Sequence, residues 1–250
     1  MKSGKFKITD KEILSESGKL VMLKIEAYGI EAAPGQFVNI IAEEHYLRRP
    51  ISVSSYSEGV LTLIIDKIGD GTERICRKEP GEEVEMLTGL GNKFTLAPNG
   101  DRILLIGGGV GFAPLVGLAT ELKKRGYNTV SFWGFNDRAG VPEKYIDKLR
   151  KEEGLEIRVA TMDGSLGYHG NPVEMAKSYF ERRPFSPDFL YTCGPVGMMK
   201  AAAGTFGCKG EMSLDARMGC GFGACMGCST ETPEGPKRIC KDGPVFGINS

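Results

Sequence analysis

The sequence predicts an α/β plus all-β protein: an N-terminal antiparallel β-barrel, a parallel-sheet α/β domain, and a small C-terminal cysteine-rich segment. Three observations predict it. The first hundred residues hold short β-favouring runs split by turn residues, the pattern of a small barrel. From about residue 101 strands alternate with helical patterns, as in a parallel sheet with helices on both faces. The last stretch concentrates four of the seven cysteines in a spacing of C-x4-C-x2-C-x11-C, from Cys220 to Cys240.

In chain order, the expected barrel strands are residues 5–9, 20–27, 37–42, 51–55, 60–67 and 83–87. Alternation is plainest in Leu61-Thr-Leu-Ile-Ile-Asp66. The texture changes after Pro98-Asn-Gly-Asp101. Ile103-Leu-Leu-Ile106 reads as a buried strand running into Gly107-Gly-Gly-Val-Gly111. Residues 113–125 follow as a helix, with Leu115, Leu118, Ala119 and Leu122 on one face and Gly126 as its stop. Strands are then expected at 129–134, 156–161 and 189–193, and helices at 143–152, 172–181 and 197–206. Residues 208–250 hold too few apolar side chains for a core of their own, so the metal site is expected to order them. The expected division is 1–98, 99–207 and 208–250.

Composition narrows the function. The 250 residues balance 32 Lys and Arg against 32 Asp and Glu, which argues against nucleic acid or an anionic membrane as the main partner. The N-terminus has no apolar signal-peptide core, and the least polar run, 103–119, is too short and glycine-rich to span a bilayer. Seven cysteines without an export signal fit a reducing, cytoplasmic setting.

The cysteine spacing carries the most chemistry. Cys220, Cys225 and Cys228 match the plant-type [2Fe–2S] pattern, and Cys240 supplies a fourth thiolate. Gly219, Gly221, Gly223 and Gly227 let the chain wrap tightly around a metal centre. The competing reading is a structural zinc site, which usually comes as two C-x2-C pairs. Gly107, Gly108, Gly109 and Gly111 lie between a strand and a helix start, where amides favour a pyrophosphate. The loop is not a strict G-x-G-x-x-G, and tight packing is its other explanation. Asp137, after the next strand, stands where an acid would meet an adenine-ribose hydroxyl and favour NADH over NADPH; a solvated loop aspartate is the plainer reading. Arg48-Arg49-Pro50-Ile51-Ser52 and Gly69-Asp-Gly71-Thr72 offer a guanidinium fork and a helix start to an anion.

Together, Arg49-Pro-Ile-Ser52, Gly71-Thr72, Pro34-Gly-Gln-Phe37 and Tyr191-Thr-Cys193-Gly-Pro-Val-Gly-Met-Met199 resemble the ferredoxin–NADP reductase-like superfamily. With the tail Met218-Gly-Cys220-Gly-Phe-Gly-Ala-Cys225-Met-Gly-Cys228, nearly the whole chain resembles the electron-transfer subunits of class 1B dihydroorotate dehydrogenases. That resemblance implies a flavin-binding barrel, an NAD-binding domain and a [2Fe–2S] segment. It implies that Arg49, Pro50, Ile51, Ser52, Ile65, Asp66 and Lys67 lie along FAD, with Gly71 and Thr72 at its pyrophosphate. Cys220, Cys225, Cys228 and Cys240 would ligate the cluster. Position 66 departs from it, being acidic where an aromatic or neutral residue is expected. Cys193 is implied near the nicotinamide as a catalytic residue; a buried small residue at a strand end is the alternative.

The implied function is an NADH-linked oxidoreductase. NADH yields electrons in pairs, a [2Fe–2S] cluster takes them singly, and a flavin exchanges both ways, so FAD must stand between them. The implied partner is an FMN-containing dihydroorotate dehydrogenase catalytic subunit, in a two-plus-two heterotetramer serving pyrimidine biosynthesis. Phe222, Met226 and Val245-Phe-Gly-Ile248 are expected at the partner face. Two alternatives stand: an NAD(P)H-dependent reductase subunit for a ferredoxin- or hydrogenase-type partner, and a zinc-stabilised nucleotide-binding module.

Overall fold

Alternating apolar residues bend the first part of the chain into a closed barrel. The structure, a computed structural model, describes residues 1–98, 102–183 and 186–248, so residues 99–101, where the first expected division falls, lie outside the described residues. Strands β1 (Lys2–Ile13), β2 (Leu20–Glu26), β3 (Phe37–Ile40), β4 (Arg49–Ser57), β5 (Val60–Asp66) and β6 (Glu83–Leu90) close in the order β1-β2-β5-β4-β3-β6. Ile8, Leu23, Ile25, Ile40, Leu61 and Leu63 fill the interior and are essentially inaccessible. β1 is longer than the expected 5–9, because its first half pairs with β6 and its second half with β2. A short helix, α1 (Asp70–Arg77), follows β5 and buries Ile75 and Cys76 against the barrel.

The second part is a seven-stranded sheet in the order β10-β9-β8-β7-β11-β12-β15. Its strands are β7 (Arg102–Gly108), β8 (Asn128–Phe135), β9 (Ile157–Thr161), β10 (Tyr168–His169), β11 (Phe189–Cys193), β12 (Lys209–Ser213) and β15 (Val245–Gly247). All pair in parallel except β15, which runs antiparallel on β12. Alternate β7 residues face opposite layers, as a strand's twofold period requires. Ile103 and Leu105 join α2 (Ala113–Lys124) and α3 (Glu143–Glu152); Leu104 and Ile106 join α4 (Pro172–Glu181) and α5 (Val196–Phe206). Strand order reverses around β7, so the crevice beyond the carboxyl ends of β7 and β11 is the binding position of such a sheet.

The two parts share a core. Leu20, Met22, Ile64 and Phe94 pack in one cluster with Leu115, Leu118 and Trp133. Helix α2 lies so close to β4 that a Cβ at Gly117 would fall 2.2 Å from the Ser54 carbonyl oxygen, which is why no side chain stands there. The bidentate Arg102–Asp188 pair ties the start of β7 to the approach to β11.

Residues 208–248 are held by packing as well as by any metal. β12 and β15 continue the sheet past the expected division at 207/208. Between them lie the hairpin β13 (Ser229–Thr232) with β14 (Gly235–Arg238) and the one-turn helix α6 (Ile239–Asp242). Met218, Cys228, Ile239 and Cys240 bury against Phe37 and Leu90 of the barrel. Among the described residues no helix is long and apolar enough to cross a membrane.

Candidate functional site

The cysteine loop follows β12 and bends sharply. Gly221 adopts φ +79°, a left-handed conformation, and a Cβ there would lie 2.3 Å from Asn39 Nδ2. That Asn39 amide donates to the Cys220 carbonyl at 3.2 Å, fastening the loop to β3. Arg238 donates to the Gly223 carbonyl at 3.1 Å and pairs with Asp242, holding the far side. Cys225 is exposed, Cys220 half-buried, and Cys228 and Cys240 buried.

The thiols come as two pairs. Cys220 and Cys225 contact through their side chains, as do Cys228 and Cys240. The amides of Ala224 and Cys225 donate to Cys220 Sγ at 3.2 and 3.4 Å, and the Cys240 amide to Cys228 Sγ at 3.4 Å. At Cys220 burial opposes ionisation, but the amides of Cys225, Phe222 and Ala224 outweigh it and bring the thiol down to about 6. Burial, reinforced by Cys228, pushes Cys240 up to about 12. Among the described residues no group of three or more His, Cys, Asp or Glu side chains converges on one ion position. Two thiol pairs, each able to take one iron, suit a dinuclear [2Fe–2S] centre better than a single zinc ion.

The anion cradle lies at the start of α1. Arg49, on β4, lays its guanidinium against the backbone of Gly71, where a Cβ would fall 2.3 Å from Arg49 Nε. The cradle thus joins a guanidinium to a bare helix N-terminus, a combination fitted to a pyrophosphate. The Thr72 hydroxyl donates to the Gly69 carbonyl at 2.9 Å and receives the Gly69 amide at 3.3 Å. It shapes the helix start, a use the sequence reading did not give it. Ile51 and Ile65 turn their side chains into the barrel core, so only their main chains are available to a flavin; Pro50, Ser52, Asp66 and Lys67 keep partly open side chains.

A cavity of about 430 Å³ opens where the barrel meets the sheet. Gly108, Gly109 and Val110 border it from the loop, Asp137 from beyond β8, Pro195 and Met198 from the start of α5, and Lys19 and Asp66 from the barrel. Gly107 and Gly111 are buried and do not line it; a Cβ at Gly111 would fall 2.4 Å from the Cys193 carbonyl oxygen. The glycine loop runs as a 3-10 turn, Gly109–Phe112, into α2. Asp137 Oδ1 accepts the Gly140 amide at 2.9 Å, so one of its oxygens is engaged in a turn. Cys193 ends β11 in register with Gly107 and Ser213. Burial pushes its thiol up to about 12, the Ser213 contact only partly offsetting this, so it stays protonated at neutral pH.

Comparison with known proteins agrees with this geometry. Residues 215–250 match the family model for the iron–sulfur cluster binding domain of dihydroorotate dehydrogenase B. The electron transfer subunit of dihydroorotate dehydrogenase B (NAD(+)) from Bacillus caldolyticus is 41% identical over 224 residues, 85% of this chain and 84% of that protein. The subunit from Geobacillus thermodenitrificans is 40% identical over 244 residues, 93% and 89% of the two chains. The chain belongs to the family of dihydroorotate dehydrogenase B electron-transfer subunits.

Solved structures place this family member among flavin-dependent reductases. One described as an NADH-dependent reduced ferredoxin-NADP oxidoreductase superposes with a TM-score of 0.83 at 29% identity, covering 97% of this chain and 88% of that one. Phthalate dioxygenase reductase shares the fold, with a TM-score of 0.61 at 20% identity over 82% of this chain and 64% of that one. In this dihydroorotate dehydrogenase B family member the structure brings Arg49 to Gly71 and the glycine loop to Cys193, and sets Cys220 against β3. Asn39 escaped sequence reasoning, since its contact with Cys220 spans 181 positions. Of the expected partner face, Phe222 and Met226 are exposed. Val245 is buried and Phe246 packs beside Phe37 and Ile239, so that part of the tail belongs to the core.

Proposed function

We propose that the chain is the electron-transfer subunit of a dihydroorotate dehydrogenase B, carrying electrons between NAD(H) and an FMN-containing catalytic subunit by way of FAD and a [2Fe–2S] cluster. When bound, FAD accepts a hydride's two electrons and releases them singly to the cluster. Arg49 and the amides at Gly71 neutralise the FAD pyrophosphate. The Gly107–Gly111 amides hold that of NADH at the switch point, and Asp137 offers its remaining oxygen to the adenine-side ribose. Cys193, kept an uncharged thiol by burial beside the glycine loop, would border the nicotinamide without placing a charge there. Cys220 and Cys225 would hold one iron, Cys228 and Cys240 the other. We assign the work to the cytoplasm, where an exposed thiol such as Cys225 stays reduced.

The observation that carries this reading is the register at β3. Asn39 is the β-partner of Pro50, inside the flavin strand, and its side chain holds the Cys220 carbonyl. One strand therefore separates the flavin-binding backbone from the first cluster ligand. The test is anaerobic purification with its catalytic subunit, metal and flavin analysis, and an NADH titration followed in the visible. One FAD and two irons per chain, with flavin bleaching and a reduced-cluster signal, are expected. A colourless zinc protein that ignores NADH would overturn the assignment.

A further inference from the structure

The nucleotide cavity has one carboxylate in its barrel wall, that of Asp66. Asp66 ends β5 and lines the cavity together with Ser17 and Lys19 of the barrel and Gly108 and Gly109 of the loop. Its Oδ1 is buried and has no hydrogen-bond partner. A buried oxygen left in that state costs on the order of 1–3 kcal/mol, so such a group is commonly completed by a ligand. Burial pushes its carboxyl pKa up, and Lys19 partly counteracts this.

The chemistry of a dinucleotide limits what could complete it. Phosphate oxygens only accept hydrogen bonds, and their charge repels a carboxylate. The donors are the adenine amine, the ribose hydroxyls and the carboxamide. With the pyrophosphate on the glycine loop, the adenosine half would lie toward Asp137, Met162 and Asn171, which also line the cavity. The other half must turn back toward the barrel and the flavin strand. Its first donors beyond the pyrophosphate are the hydroxyls of the second ribose, on the Asp66 side.

We propose that Asp66 accepts a hydrogen bond from a hydroxyl of the nicotinamide-side ribose of bound NAD(H), and so sets where the nicotinamide stands. Asp66 is a positioning residue. The assignment rests on the reading of Gly107–Gly111 as the pyrophosphate site.

Two ligand fragments separate the possibilities, because ADP-ribose carries the second ribose and ADP does not. Both are titrated by calorimetry into the FAD- and cluster-loaded protein and its Asp66→Ala and Asp66→Asn variants, with melting curves as a check on folding. Loss of one charge-assisted hydrogen bond should weaken ADP-ribose roughly tenfold in Asp66→Ala, less in Asp66→Asn, and leave ADP within about twofold. Unchanged or tighter ADP-ribose binding, or equal losses for both fragments, overturns the inference while leaving the loop reading intact. A separate Gly109→Asp variant checks that reading: nothing lies near the Cβ position of Gly109, and its left-handed φ of +54° strains aspartate less than most residues, so the variant adds charge without a clash, its folding checked by the same melting curves. If ADP binds this variant as it binds the parent, the loop reading falls and the Asp66 assignment with it.

Discussion

Asn39 Nδ2 donates to the main-chain carbonyl of Cys220 at 3.2 Å, joining the middle of the barrel to the first cysteine of the metal loop. Replacing it with Ala removes a half-buried hydrogen bond worth about 0.5–1.5 kcal/mol. The expected outcome for Asn39→Ala is a barrel that still holds FAD and a loop that loses iron faster. The check is the iron-to-FAD ratio after dialysis against a chelator; parent and variant retaining iron equally would refute it.

Gly71→Ala tests the flavin cradle without disturbing the helix. Ala is the better helix former by about 1 kcal/mol, so melting should hold or rise. The new methyl occupies the place of the Arg49 guanidinium, which is flexible and moves away. FAD retention through gel filtration should then drop several-fold. Full retention would show that Arg49 does not reach the pyrophosphate.

The thiols predict separable losses. Cys225→Ser and Cys240→Ser should both abolish the cluster absorption while NADH reduction of a dye through FAD continues. Cys240 is buried and Cys225 exposed, so Cys240→Ser should also lower the melting temperature and Cys225→Ser should leave it nearly unchanged. Loss of dye reduction in both variants would contradict the division between flavin and cluster.

Phe222 and Phe246 separate surface from core. Phe222 is 44% exposed beside the cluster loop, and Phe222→Glu should weaken binding of the catalytic subunit with little change in melting. Phe246 pairs across from Met212 and packs in the C-terminal core, so Phe246→Glu should destabilise the segment itself. Binding measured by sedimentation, alongside thermal melts, distinguishes the two.

Acid should loosen the join at the base of the sheet. The Arg102 side chain, followed by its amide, holds the Asp188 carboxyl down at about 2, against about 3.9 for an unfolded chain. A depressed folded value means the pair contributes fully above about pH 4 and is lost as pH falls toward 2. Both side chains are over a third exposed, so screening keeps this below about 1 kcal/mol. Asp188→Asn should reduce stability at pH 6 and narrow the gap between pH 6 and pH 2.5 in denaturant titrations.

The sequence was most legible where local rules decide structure. α4 begins at Pro172 behind Asn171, whose side chain accepts the Val173 and Glu174 amides, and the expected 172–181 coincides with it. The cysteines were legible because ligand spacing is a local constraint. β1 was under-read because its polar, Gly4-containing ends are held by pairing to β2 and β6. α1 carries little apolar signal beyond Ile75 and Cys76. β12, Lys-Gly-Glu-Met-Ser, has no alternation to notice; it is a strand because β11 and β15 flank it. The same holds at the site: Arg49, Gly71 and Thr72 are neighbours in motif, but Asn39 and the free oxygen of Asp66 emerge only from long-range contacts.

The metal loop leaves the sheet after Ser213 and returns at Val245, its β-partner. The returning strand covers the edge of β12, whose amides and carbonyls would otherwise be open to another chain. A protein made under iron shortage would hold that strand by packing alone. Such molecules should be the sticky ones, so iron supply would govern solubility and not only colour.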